Sequence, residues 1–343
     1  MNTNTDFAKW LGKFLSEYLP HERNMSPNTI LSYRDTFVQF IFFLKSVHLI
    51  RIEKITLDVI TKDVVLGFLS WVQEKRNCGI ATRNYRLAAI HSFIQYLQYE
   101  DIMHLEQWQK ILSIKSMKAE KKSISYLSTD AIKLLFEQPD ITTRGGRRNL
   151  ALLALMYDTG ARVQEIIDLT PGSLNLASSP YSIRLFGKGR KYRVVPLMDE
   201  QVKLLKRYIE ENCLTENYRL KHPLFFNNRG DKLTRSGVAY ILKSYVEMAK
   251  TVSPELIPES VSCHSLRHSK AMHLLQAGVN LVYIRDILGH TSIQTTDVYA
   301  RADSKQKREA LESSYINLVP ESENTRQWEK DRNLLEWLKG FRN

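Results

Sequence analysis

Apolar residues in this chain recur at spacings of three and four almost throughout, and the rhythm gives way to alternation only once. From Ser26-Pro27 onward, Ile30, Tyr33, Phe37, Phe40, Ile41 and Leu44 fall on one face of an amphipathic helix with a capping serine and a proline in its first turn. The same spacing predicts helices over 7–18, 61–73 and 82–97, the last carried by Leu87, Ile90, Phe93, Ile94 and Leu97. Residues 1–112 therefore read as a helical bundle, and its aromatic stripe as core, because periodic burial is what holds a bundle together. Residues 113–124 are polar and basic with little apolar periodicity, as expected of a linker between two domains.

After the linker, Ser128-Thr129-Asp130 caps a helix through Phe136, and Leu150, Leu153, Ala154 and Tyr157 mark another that stops before Gly160. Then the period changes. Tyr181, Ile183 and Leu185 alternate with polar residues, Gly187-Lys188-Gly189-Arg190 reads as a tight turn, and Tyr192, Val194 and Val195 resume extended structure up to Pro196. Helices return over 200–211, 236–250, 266–276 and 281–288, with Gly278 and Gly289 as stop signals. The expected fold is mainly α with a small β-sheet: a helical domain over 1–112, a linker over 113–124 and a mostly helical second domain over 125–318. A tail over 319–343 follows, in which Trp328, Leu334, Leu335, Leu338 and Phe341 are spaced as on one helix face.

Lys and Arg outnumber Asp and Glu by 49 to 37, a net charge of +12 that favours polyanionic partners, nucleic acid first among them. The excess is shared, with 17 basic against 12 acidic residues in 1–124 and 32 against 25 beyond. In that setting Lys115, Lys118, Lys121 and Lys122 of the linker are candidate phosphate contacts. The three cysteines, Cys78, Cys213 and Cys263, are widely spaced and form no CxxC pair, which argues against a disulfide framework or a structural zinc site. The N-terminus has no charged-then-apolar signal layout, and the greasiest stretch, 37–44, is far short of a span and interrupted by Gln39. A cytoplasmic protein with no membrane partner is the expectation.

The residues that carry chemistry concentrate in two places. In His264-Ser-Leu-Arg267-His268, positions three apart share a helix face, so His264 and Arg267 can address one ligand atom, while His268 is expected to be a packing contact. Leu288-Gly289-His290 follows, and Tyr299 comes nine residues later. Far upstream, Gly160-Ala-Arg162-Val-Gln-Glu165 puts a second arginine just past a glycine turn, with Glu165 placed to hold it.

In order, these residues resemble the tyrosine recombinases of the phage-integrase and Xer type, whose pattern is Arg, a hairpin Lys, His-x-x-Arg, a His or Trp, then Tyr. Here it falls on Arg162, Lys188, His264, Arg267, His290 and Tyr299, with Glu165 in support. The likeness extends to the first domain through Ser26-x-x-Thr29-x-x-x-Tyr33. One departure is Ser173, where family members often carry Asp.

The resemblance implies a helical core-binding domain of SAM-like type followed by a mixed α/β catalytic domain. It also implies a site-specific recombinase that cleaves and rejoins double-stranded DNA through a covalent 3′-phosphotyrosine. Two guanidinium forks, Arg162 and Arg267, suit the charge that develops on a phosphodiester under attack. Tyr299 would be the nucleophile, His264 its proton acceptor or positioner, His290 a donor to a non-bridging oxygen, and Lys188 the acid that protonates the leaving 5′ oxygen. Neither a metal nor another cofactor is expected, and no tight Asp/Glu cluster is placed to hold two magnesium ions. The resemblance further implies a synaptic tetramer in which the tail helix is donated to a neighbouring protomer. The main alternative is a type IB topoisomerase, which performs the same cleavage and relaxes DNA without paired sites.

Overall fold

The computed structural model describes residues 5–119, 124–187, 191–290, 292–302 and 334–340. The chain divides into two compact units, residues 1–122 and 123–343.

The first unit is helical. Thr5 caps α1 (Asp6–Lys13), which runs without a break into a wider, π-type turn over Phe14–Glu22. α2 (Pro27–Val47) begins as its Ser-Pro signal requires, the Ser26 hydroxyl accepting from the Thr29 N–H at 3.3 Å. α3 (Lys62–Glu74), α4 (Ile80–Glu100) and α5 (Leu105–Leu112) complete the bundle. The aromatic stripe is core: Phe93 meets Phe14 at 5.2 Å and Phe37 at 5.1 Å in edge-on contacts, and Phe40 meets Phe68 at 5.2 Å. Beyond α5 the chain is tied back to α4, because the Asn84 side chain donates to the Met117 carbonyl at 2.8 Å and accepts from its N–H at 3.0 Å. Lys115 and Lys118 are exposed there, whereas Lys121 and Lys122 lie outside the described residues.

In the second unit, Ser128 caps α6 (Thr129–Glu137), its hydroxyl accepting from the Ala131 N–H. α7 (Arg144–Thr159) is the central helix. Residues 151–156 are buried in unbroken succession, as suits a helix enclosed on all sides. The short α8 (Val163–Ile167) leads to a three-stranded antiparallel sheet of β1 (Leu174–Asn175), β2 (Ser182–Phe186) and β3 (Tyr192–Pro196), in that order. The hairpin predicted from alternation is β2–β3, with Ile183 opposite Val195 and Leu185 opposite Arg193, and β1 is added at its edge. Ser173 stands just before β1, its hydroxyl accepting from the Thr170 N–H at 3.3 Å.

The remaining helices are α9 (Asp199–Glu211), α10 (Arg235–Val252), α11 (Cys263–Gln276), α12 (Leu281–Leu288) and α13 (Ile293–Ala302). Gly160, Gly278 and Gly289, which follow α7, α11 and α12, all adopt positive φ. Of the tail, Leu334–Gly340 is helical, and the rest of the predicted tail helix lies outside the described residues. Among the described residues no helix is long and apolar enough to cross a membrane.

Candidate active site

The site begins where α7 ends. Gly160 turns the chain with φ near 56°, and a Cβ there would stand 2.6 Å from Leu288 Cδ2, so the turn requires glycine both for its backbone and for the close approach of α12. The reversal places Arg162 at the start of α8. Its backbone N–H donates to Glu165 Oε2 at 2.8 Å and its Nη1 to Oε1 at 2.9 Å. Glu165 is buried and is also gripped by Arg193 of β3, whose Nη1 and Nη2 donate to the two carboxylate oxygens at 3.0 and 2.6 Å. Burial alone would raise the Glu165 pKa, but Arg193 and then Arg162 outweigh it and hold the carboxyl below its ordinary range.

The second guanidinium arrives from α11. Arg267 is only 1% exposed, and its Nη1 and Nη2 donate to the carbonyls of Gly160 and Leu288 at 2.6 and 2.7 Å. Both acceptors sit at helix C-termini, where the partial negative charge of the helix favours a cation. Burial, and after it the nearby charge of Arg162, brings the Arg267 pKa down to about 10, which leaves it cationic at neutral pH.

Around the arginines stand three imidazoles and a phenol. His264 and His268 occupy successive turns of α11, with ring centroids 4.5 Å apart. His268 Nδ1 lies 2.8 Å from the hydroxyl of Tyr299 on α13. His290 follows the left-handed Gly289, its ring parallel to that of Tyr299 at 6.3 Å and its Nδ1 2.9 Å from the hydroxyl of the buried Thr296. Burial, followed by His264 and Arg267, brings the His268 pKa to about 4. Burial, followed by Arg267 and Arg162, does the same for His290. His264 is lowered by desolvation, then by Arg267 and Arg162. The His268 and His290 rings are therefore neutral at pH 7, and a neutral His268 can accept the Tyr299 proton at Nδ1. Tyr299 is 2% exposed; burial raises its pKa, and Arg267 and Arg162 pull the other way.

Of the residues singled out in the sequence, Arg162, Glu165, His264, Arg267, His290 and Tyr299 come together here. Lys188 falls between β2 and β3 in the sequence and lies outside the described residues. Two further residues are part of the arrangement: His268, which the sequence reading takes as a packing contact, and Arg193, which it does not single out. His268 contacts the phenol directly, and Arg193 shares Glu165 with Arg162. Each left a signal: His268 is four residues from His264 and so on its helix face, and Arg193 is in phase with the inward-facing Val195. Among the described residues no group of three or more His, Cys, Asp or Glu side chains is placed to hold a metal ion.

A buried Arg267 and a partly exposed Arg162 near a buried phenol can hold an anion for attack by an oxygen nucleophile. The family models agree with that chemistry. Residues 125–306 match the phage integrase family, and residues 13–101 match the phage integrase N-terminal SAM-like domain. The chain is a tyrosine recombinase of the phage integrase family. The recombinase is 33% identical over 301 residues to tyrosine recombinase XerD of Oceanobacillus iheyensis, covering 86% of this chain and 95% of that protein. It is 34% identical over 300 residues to tyrosine recombinase XerC of Herpetosiphon aurantiacus, covering 86% and 90%.

The fold of the recombinase is shared with XerH bound to its palindromic difH substrate in a post-cleavage complex. That match has a TM-score of 0.67 at 22% identity and covers 90% of each chain. The Tn1549 transposon integrase in complex with transposon right-end DNA matches with a TM-score of 0.66 at 17% identity, covering 88% of this chain and 98% of that one. The recombinase thus acts on DNA, breaking and rejoining strands at specific sites, and nothing favours the topoisomerase alternative.

Proposed function

We propose that Tyr299 attacks the scissile phosphodiester while Arg162 and Arg267 hold its non-bridging oxygens, in a synaptic tetramer on paired double-stranded sites. One observation carries the assignment: the Tyr299 hydroxyl sits against a neutral His268 within the field of both arginines. A free phenol is ionised to only about one part in a thousand at neutral pH, so attack needs a base at hand and positive charge to stabilise the phenolate. His268, in place of the His264 expected from the sequence, accepts or orients the proton, because it is the ring that meets the phenol, and Arg267 and Arg162 supply the charge. His264 and His290 donate to non-bridging oxygens, and Lys188 on the hairpin protonates the departing 5′ oxygen. The product is a 3′-phosphotyrosine that retains bond energy for religation to another strand.

Tyr299 and Arg267 are both almost fully covered, so whatever covers them has to give way before DNA reaches either. This ties the nucleophile to the bound state. The linker lysines Lys115, Lys118, Lys121 and Lys122 contact backbone phosphates, and the tail helix is exchanged between protomers.

The test is a nicked duplex that traps the covalent complex, built on a site selected from randomised duplexes by repeated binding. A strand linked to Tyr299, absent from Tyr299→Phe, is the expected product. No linked strand, or one mapped to another residue, would refute the assignment.

A further inference from the structure

Four hydrogen bonds to the Glu165 carboxylate come from two arginines, and only one of them, Arg162, belongs to the proposed phosphate site. The other has a different geometry. Arg193 leaves the inward face of β3, presents its Nη1 and Nη2 to both oxygens of Glu165, and turns its Nε to the Ile287 carbonyl of α12 at 2.8 Å. It passes so close to the next turn that a Cβ on Gly289 would lie 2.9 Å from its Cδ and 3.0 Å from its Nη1. Just past the last strand pair of the same hairpin, the Gly187 N–H donates to the Lys191 carbonyl at 2.9 Å. One side chain therefore ties together the hairpin strand, the carboxylate that holds Arg162, and the segment that presents His290.

We propose that Arg193 is a positioning residue of the recombinase: it shares the Glu165 charge so that Arg162 is held in place without being neutralised, and it fixes the hairpin and the Gly289-His290 turn to the same anchor. The inference rests on the assignment of Arg162 to the phosphate. The reasoning is electrostatic. With Arg193 present, the two guanidiniums divide one buried carboxylate between them and the cluster keeps a net positive charge for a phosphate. Without it, Glu165 has Arg162 as its remaining guanidinium partner, and the fork is drawn toward the carboxylate. A displacement of about 1 Å in such a clamp costs on the order of 10²-fold in rate. A lysine could reach one oxygen but could not reproduce the three-way grip of a guanidinium.

The experiment uses the full chain on the nicked trapping substrate, with covalent-complex formation measured at saturating enzyme and DNA affinity measured separately. Arg193→Met should slow the cleavage step by about 10²-fold with little change in affinity. Arg193→Lys should fall between Arg193→Met and wild type. In a cycle with Glu165→Gln, the double variant should be no slower than the worse single, because the two side chains act through one arrangement. Wild-type rates in Arg193→Met, or effects of Arg193→Met and Glu165→Gln that multiply independently, would overturn the proposal. If the Met variant melts below the assay temperature, Arg193→Lys decides alone, and cleavage at the wild-type rate would count against it. Absence of any adduct in the wild-type chain would overturn the assignment of Tyr299 and this inference with it, whereas a normal wild-type adduct beside an unaffected Arg193→Met would overturn this inference alone.

Discussion

Two imidazoles kept neutral beside buried arginines make the site sensitive to acid, and the sign follows from the shifts. His268 and His290 have folded-state pKa values near 4 against an ordinary 6.5, so the unfolded chain binds more protons between those limits. Stability from these residues is complete above about pH 6.5 and is lost as pH falls toward 4. Glu165, held below its ordinary range, adds to the loss at the acid end. Thermal melts should therefore be flat above pH 6.5 and descend below it, and His268→Gln should descend less steeply. The same neutrality bears on chemistry, since a protonated His268 could no longer accept from Tyr299. Arg267→Lys tests the other half of the site. A lysine cannot span the Gly160 and Leu288 carbonyls while facing a phosphate, and a loss of about 10³-fold or more in covalent-complex formation is expected.

At the scale of elements, the two glycines that shape the site can be tested directly. Gly160 and Gly289 both lie in the left-handed region, where an alanine costs about 1–2 kcal/mol in backbone strain alone. Gly160→Ala must also displace Leu288, and Gly289→Ala must displace Arg193, so each should lose more than the backbone cost in denaturant melts. Gly278, whose added Cβ would meet open space, should show the strain and little else. These stops were legible in the sequence because glycine after an apolar helical run has one common conformation. The hairpin was legible because alternation occurs only once in the chain. What the sequence hid were relations across elements. His268 was set aside by counting faces in steps of three, although a step of four returns to the same face and the rings of His264 and His268 do meet. The carboxylate that pairs with Arg193 comes from α8, 28 positions upstream. Local periodicity carries no information about such a pairing.

For the whole molecule, the basic excess is the property that reaches furthest. It is divided between the two units, with 17 basic against 12 acidic residues up to the boundary region and 32 against 25 beyond it. If both units contact the duplex, counterions are released along a long stretch of backbone, and the logarithm of affinity should fall with the logarithm of salt at about −0.9 per phosphate neutralised. Substituting Lys115 and Lys118 by Gln should then flatten the slope by about 1.8 if both lysines contact phosphate, and weaken all duplexes alike. Anisotropy titrations over a range of salt concentrations measure both quantities, and a slope unchanged by the double substitution would remove these lysines from the interface. The covalent step should respond differently. In the proposed site its charge comes from Arg162 and Arg267, one partly and one wholly withdrawn from solvent, where salt screens much less. Raising salt should thus lower occupancy of the duplex far more than it slows cleavage within the complex already formed. Single-turnover trapping at saturating enzyme separates the two, and a cleavage rate that tracked the binding curve would place the phosphate on the exposed surface instead of between the two arginines.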